Sequence, residues 1–400
     1  MFNLVITKYN QKILSAMYDG KEMLEVSLED EEEASILGNI YIGRVEKVVT
    51  SINAAFIEFA PGLKGYYSLE ENREHVFLNK KNTDKVCQGD LLLVQVERDA
   101  VKTKAPILTA KFNLSGKYVV LTKDATGINF SGKITDKKQK KLIKETLSPF
   151  ISKEYGLIAR TNCEGLFEEE MDEIKFMQDA LIFETKSLIA QYQMLLSKAP
   201  TRTAFTIMYQ NRPGYLDSVL NARTEELKEI ITDDSKIYQE ILALNDADIL
   251  SKLRFYEDEL LSLHKLYSVE TQLKDALKER IWLKSGGYLV IQPTEALTVI
   301  DVNTGKFVAS KSNREAGFLK VNKEAALEIA KQLRLRNYSG IIIVDFIDMK
   351  EAGYNQELLT VLNTAIANDP VKTTVVDITK LGLVEITRKK IKKPLNEQVK

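Results

Sequence analysis

Residues 2 to 29 set short apolar runs against polar residues: Leu4-Val5-Ile6, then Ile13-Leu14, then Met23-Leu24-Glu25-Val26, with Asp19-Gly20 as a break. That period predicts a β-meander. An acidic run from Asp30 to Glu33 ends it, and a second β pattern begins at Gly38. GNIYIGRVEKVV, NAAFIEFA, KGYYSL and DLLLVQVE are short segments punctuated by glycine, which predicts a small barrel. From Leu114 to about Tyr215 the pattern is mixed: a lysine-rich helix over Asp136 to Thr146, a strand over Tyr155 to Thr161, and a long amphipathic helix over Glu168 to Leu196. Residues 216 to 280 read as mostly helical, with Leu227, Ile230 and Ile231, then Leu253, Tyr256, Leu260 and Leu263, at helical spacing. The last third alternates GGYLVIQ, ALTVIDVN, a helix over Asn322 to Arg336, IIIVDF, a helix over Asn355 to Ala367, and TTVVDIT, which predicts an α/β domain whose sheet is buried by helices. The basic run Arg388 to Pro394 reads as a solvated end or a phosphate contact.

With 400 residues and 44% hydrophobic content the chain can build several cores. Its 56 basic and 57 acidic residues nearly cancel, so any surface for nucleic acid must be local. Cys87 and Cys163 are far apart and form no CxxC, which excludes a disulfide framework and a cysteine zinc site and fits a reducing cytoplasm. The N-terminus lacks a signal-peptide pattern, and no run approaches the roughly 18 apolar residues of a membrane span. A soluble, cytoplasmic protein is expected. Only His75 and His264 occur, neither in a triad-like or metal-ligand setting, so catalytic groups should be carboxylates, lysines or a metal.

Two segments offer such carboxylates. In ALTVIDVNTG, strand alternation puts Leu297, Val299, Asp301 and Asn303 on one face and Thr298, Ile300 and Val302 on the other, so two polar residues interrupt a face at the strand's exit. In IIIVDFIDM, four β-branched residues, Ile341 to Val344, predict a buried strand that ends on Asp345, with Asp348 three residues on. An acid in that position is costly unless paired, protonated or bound to a cation. Asp301 and Asp345 together present hard oxygens of the kind magnesium takes, and such an ion suits phosphodiester hydrolysis. Spacing leaves the plainer reading open: Asp301 caps a turn, Asp345 caps the following helix, and Asp348 is a helix N-cap.

Longer stretches carry a resemblance. SGGYLVIQPTEALTVIDVNTGKFV, NKEAALEIAKQLRLRNYSGIIIVDFIDM and KLGLVEITRKK resemble the catalytic domain of the ribonuclease E/G family, nearer its ribonuclease G branch. GNIYIGRVEKVVTSINAAFIEFAPGLKGYYSL resembles the family's S1 domain, and GLIARTNCEG its segment for recognising a 5′-monophosphate. The resemblance runs through essentially the whole chain in the family's order. It implies an α+β multidomain fold: a ribonuclease-H-like subdomain from residues 1–35 and 215–280, enclosing an S1 (OB-fold) barrel at 36–118 and a 5′-sensor subdomain at 119–214. A DNase-I-like α/β catalytic domain follows at 281–400.

By the same resemblance Asp301 and Asp345 match two magnesium-binding aspartates, and Asn303 the asparagine that positions the scissile phosphate or attacking water. Manganese can occupy the same oxygen-rich site. Arg160 and Thr161 match the 5′-phosphate sensor, with Asn162 in place of a small apolar residue. Phe56 and Tyr66 match base-stacking positions, Tyr66 replacing a phenylalanine; within Ala54-Ala55-Phe56-Ile57 a core position for Phe56 stays open. Lys102, Lys104 and Lys111 are candidate phosphate contacts. The implied activity is endoribonucleolytic cleavage of A/U-rich single-stranded RNA to 5′-phosphate and 3′-hydroxyl ends, favouring 5′-monophosphorylated RNA, in rRNA processing and mRNA decay. A non-catalytic S1-type RNA-binding or RNA-chaperone protein is the rival reading. The family's paired-cysteine zinc-link and small C-terminal domain have no counterpart before Lys400, so structural zinc is not expected and any homo-oligomer should form without it.

Overall fold

The computed structural model describes residues 1–31, 35–79, 84–100, 105–163, 171–223, 226–307 and 314–399. The chain forms two compact units, Met1–Glu33 with Thr224–Lys400, and Ala34–Arg223.

In the first unit the N-terminal alternation becomes three antiparallel strands, Phe2–Tyr9, Lys12–Asp19 and Glu22–Asp30. Two strands from far along the chain complete a sheet in the order Leu253–Phe255, Leu227–Thr232, Phe2–Tyr9, Lys12–Asp19, Glu22–Asp30. Here the helical reading of Leu227, Ile230 and Ile231 is wrong: these residues form a strand parallel to Phe2–Tyr9, with Ile230 opposite Leu4 and Ile231 opposite Val5. A short apolar run with adjacent β-branched residues satisfies both periods, and the edge of Phe2–Tyr9, far upstream in the chain, selected the strand. Leu253 likewise starts a strand, and the next helix begins only at Leu263.

The same unit holds a six-stranded sheet in the order Arg280–Trp282, Tyr288–Pro293, Leu297–Asn303, Gly340–Asp345, Val384–Arg388, Thr373–Ile378. Helices Arg314–Arg336 and Ala352–Ala367 pack their Ala325, Ile329, Leu333, Leu358 and Leu362 on Ile300, Val302, Ile342 and Val344. Among the described residues this is the covered face. On the other, Val299 is 36% and Ile341 51% exposed, so the run Ile341 to Val344 is buried at alternate residues rather than throughout. The first helix starts at Arg314, eight residues before the sequence pattern suggests.

The basic end is also not a uniformly solvated run. Arg388 is 3% exposed; its Nε donates to Asp369 Oδ2 at 2.7 Å, its Nη2 to Asp369 Oδ1 at 3.2 Å, and its Nη1 to Asn337 Oδ1 at 2.7 Å. Burying a guanidinium is tolerable only with such a bidentate carboxylate and further acceptors.

In the second unit five strands close into a barrel: Ile40–Val49, Ala54–Ala60, Leu63–Ser68, Ile107–Thr109 and Leu91–Arg98, the last pairing back onto the first. A closed five-stranded barrel is the small barrel that the glycine-punctuated pattern predicts, and it is consistent with the S1/OB-type architecture that the resemblance implies. A four-stranded sheet follows, ordered Gly127–Phe130, Gly156–Ala159, Val119–Thr122, Asn113–Ser115. Helices Lys137–Leu147 and Met171–Lys198 cover it through Ile143, Leu147, Leu181, Leu188 and Tyr192. Asp136 caps the first of these, accepting from the Lys138 and Gln139 amides. Among the described residues no helix is long and apolar enough to cross a membrane.

Candidate active site

Strands Leu297–Asn303 and Gly340–Asp345 run parallel, and their register sets Asp301 directly beside Asp345. The local cause is period two. Ile300, Val302, Ile342 and Val344 must face the helices, so Asp301 and Asp345 emerge together on the open face, where both are exposed. Neighbouring strands lie about 4.8 Å apart, so two like charges are held close, at a mutual cost of a few kcal/mol even near a surface. The Asp345 carboxyl accordingly sits above its ordinary range, raised by partial burial and then by Asp301 and Asp348.

The capping alternatives do not hold. The helix after Asp345 begins at Ala352 with Glu351 at its N-cap, so neither Asp345 nor Asp348 caps it. Asp301 is instead an acceptor: Asn303 Nδ2 donates to its Oδ2 at 2.6 Å, from two residues along the same face. One lone pair of Asp301 is thereby oriented and the rest stay available. Gly305, at φ +53°, turns the chain immediately afterwards; a Cβ there would stand 2.5 Å from the Gly286 carbonyl oxygen, so only glycine permits this approach.

A cation fits this donor set. No group of three or more metal-ligating side chains occurs among the described residues, and magnesium needs only one or two carboxylates, completing its shell with waters and phosphate oxygens.

In the other unit, Arg160 follows strand Gly156–Ala159. Its guanidinium donates to the Gly116 carbonyl and to Asn221 Oδ1, both neutral oxygens, while its backbone N–H donates to Tyr118 O at 2.8 Å. Burial lowers its pKa, Asp217 and Glu184 pull it back up, and Arg212 adds a second positive charge nearby. Arg212, whose Nη2 reaches Ser115 O at 3.3 Å, had no motif to mark it in the sequence. Thr161 Oγ1 lies 3.0 Å from Ser131 Oγ, and Asn162 Nδ2 donates to Leu220 O at 2.9 Å, so Asn162 braces this loop. Behind it Glu184 accepts from the amides of Lys117, Tyr118 and Val119 at 2.7 to 2.8 Å, room for which exists only because residue 116 is glycine.

On the barrel, Phe56 is half-exposed while Ile57 and Phe59 take the core positions. It pairs in register with Tyr66, ring centroids 6.2 Å apart at 76°, and on its other side with Lys47. Glu46, Lys47, Phe56, Lys64 and Gln88 line an open depression there. Lys47 was not among the sequence candidates and is found only through this register. Lys111 is tied to Asp124 at 2.6 Å, an exposed pair of a kind that yields readily. Lys102 and Lys104 lie outside the described residues.

Comparison with known proteins adds an independent line. Residues 113–391 match the model of the Ribonuclease E/G family. Ribonuclease G of Salmonella typhimurium (strain SL1344) is 31% identical over 392 residues, covering 94% of this chain and 77% of that protein. Ribonuclease G of Haemophilus influenzae is 32% identical over 394 residues, covering 95% and 78%. Ribonuclease E of Synechocystis sp. is 32% identical over 363 residues, covering 88% of this chain and 52% of its own length. With a family model spanning most of the chain, and ribonuclease G relatives that cover nearly all of this chain and more than three quarters of their own length, the chain belongs to the ribonuclease E/G family and is an endoribonuclease of that type.

Proposed function

We propose that this protein cuts single-stranded, A/U-rich RNA internally to leave 5′-phosphate and 3′-hydroxyl ends, acting in rRNA processing and mRNA decay and favouring 5′-monophosphorylated substrates. The observation that carries the cleavage reading is the parallel register that sets Asp301 beside Asp345 on an open sheet face. Those two carboxylates would hold magnesium, or manganese in its place, and the ion when bound neutralises phosphoryl oxygens and acidifies water. Asp301 and Asp345 supply the negative charge that selects a divalent cation. Asn303 keeps the Asp301 carboxylate oriented through its 2.6 Å hydrogen bond, and on binding substrate its amide can turn to a phosphate oxygen or water.

The remaining surfaces suit the same substrate. Phe56 and Tyr66 offer sequence-tolerant stacking, with Lys47 and Lys111 beside or near the barrel strands for phosphates, and Lys104 is kept as a further phosphate contact. Arg160 and Thr161 form the 5′-phosphate site. The Arg160 fork is preorganised by neutral acceptors, so an incoming phosphate need not displace a carboxylate from it. We assign residues 36–118 to the S1 domain, 119–214 to the sensor, 1–35 and 215–280 to the ribonuclease-H-like part and 281–400 to the DNase-I-like catalytic domain.

The test is incubation of purified protein with a short A/U-rich single-stranded RNA bearing a 5′-monophosphate or a 5′-hydroxyl, with magnesium or with EDTA. Magnesium-dependent internal cleavage, faster on the monophosphate, is expected, and its loss in Asp301→Asn ties it to the acid pair. Binding without cleavage in magnesium would overturn the reading and leave an RNA-binding or chaperone protein.

A further inference from the structure

The open face holds a feature that cleavage and end-sensing leave unused. Trp282, the only tryptophan in the chain, ends the edge strand Arg280–Trp282 and is 54% exposed. Strand register aligns Trp282, Tyr288 and Asn303 in one cross-strand row, and Arg280, Val290 and Asp301 in the next. Both rows lie on the face that carries the acids, because residues directly opposite in adjacent strands point the same way. The core positions of this hairpin are taken by Leu283, Leu289 and Ile291, so packing does not call for a tryptophan here.

Its surroundings are those of a nucleotide site. The Trp282 and Tyr288 rings lie 5.2 Å apart at 59°, the Arg280 guanidinium is 4.6 Å from the Tyr288 centroid, and the Lys306 ammonium is 5.9 Å from that of Trp282. Lys306 is held there by its backbone, whose N–H donates to the Gly286 carbonyl at 2.9 Å within the turn that Gly305 makes. Aromatic surface flanked by cations, about 10 Å and two strands from Asn303, complements a base and its phosphates.

We infer that Trp282, with Tyr288, is a base-stacking platform for single-stranded RNA on the catalytic sheet itself, with Arg280 and Lys306 contacting the phosphates on either side of the stacked base. It holds a nucleotide near the one being cut, and in this it rests on the cleavage reading above. Because the chain has a single tryptophan, its fluorescence reports the platform directly. The experiment titrates the full-length protein in EDTA with an A/U-rich single-stranded RNA and with the same backbone made abasic, and measures KM and kcat in magnesium for Trp282→Ala and Trp282→Phe. Quenching by the base-bearing RNA alone is expected, with KM raised about tenfold in Trp282→Ala, little change in kcat, and KM restored in Trp282→Phe. No quenching, equal quenching by the abasic backbone, or a wild-type KM in Trp282→Ala would overturn the proposal. Thermal melting separates a brace from a platform: an alanine variant that loses melting temperature with KM unchanged identifies a structural ring. Base-dependent quenching without cleavage would leave the platform standing and remove the cleavage reading.

Discussion

Asp345 shows how one residue acquires chemistry from its neighbours. A lone aspartate at a strand end is ordinary; opposed in register to Asp301, and with Asp348 close by, it is held above its usual pKa and awaits a positive charge. Asp345→Asn removes that charge demand with nearly the same shape, so kcat should fall by at least about a hundredfold while RNA binding, read by filter retention, stays near wild type. Arg160→Lys keeps the charge but loses the fork, and the rate advantage of 5′-monophosphorylated over 5′-hydroxyl RNA should collapse, with the hydroxyl substrate's rate unchanged. Arg388 makes the contrasting case. Its charge is structural, and Arg388→Met takes the guanidinium away from the buried Asp369 carboxylate, which keeps the Val371 amide and Thr373 hydroxyl; a loss of about 3 kcal/mol is expected in urea unfolding. Nothing in the run RKKIKKP distinguishes that buried arginine from the lysines after it; only the strand Val384–Arg388 and its neighbour Asp369 do so.

At the level of elements, the strongest periodic patterns were legible and the short ones were not. The helix Lys137–Leu147, the helix Ala352–Ala367 apart from its first three residues, and the meander from Phe2 follow from local pattern alone. Leu227–Thr232 did not, because six residues with adjacent isoleucines carry too little period to separate strand from helix until a partner edge is known. The helix that follows it, Ser235–Leu242, is begun by Asp234, which accepts from the Ile237 amide at 3.0 Å and pairs with Lys8 at 3.0 Å. Burial works to raise the Asp234 pKa, but the amide and Lys8 outweigh it and the net direction is down. A lowered folded pKa stabilises above the unfolded value of about 3.9 and loses that contribution as pH falls through the folded one. Asp234→Ala should therefore cost about 1 kcal/mol at neutral pH, and the gap to wild type in thermal or urea melts should narrow below about pH 4.

For the whole molecule, the proposed sites fall in two compact units, one carrying Asp301 and Asp345, the other the barrel and Arg160. Phe56→Ala should accordingly appear as a several-fold rise in KM with kcat little changed, the reverse of Asp345→Asn, in initial-rate measurements over RNA concentration. By itself the sequence determined the β-then-mixed-then-α/β order and the family, because these rest on composition and on long local patterns. It also marked Asp301, Asn303 and Asp345, since polar residues at the exits of apolar strands are visible without a partner. The tertiary structure alone decided which acids face one another, that among the described residues one side of the sheet carrying them is open, that Arg388 is buried, and that Trp282 and Lys47 stand beside the residues proposed to handle RNA. The reason is that strand register and face are properties of pairs of segments distant in the chain: each segment has a period, but only pairing gives that period a phase.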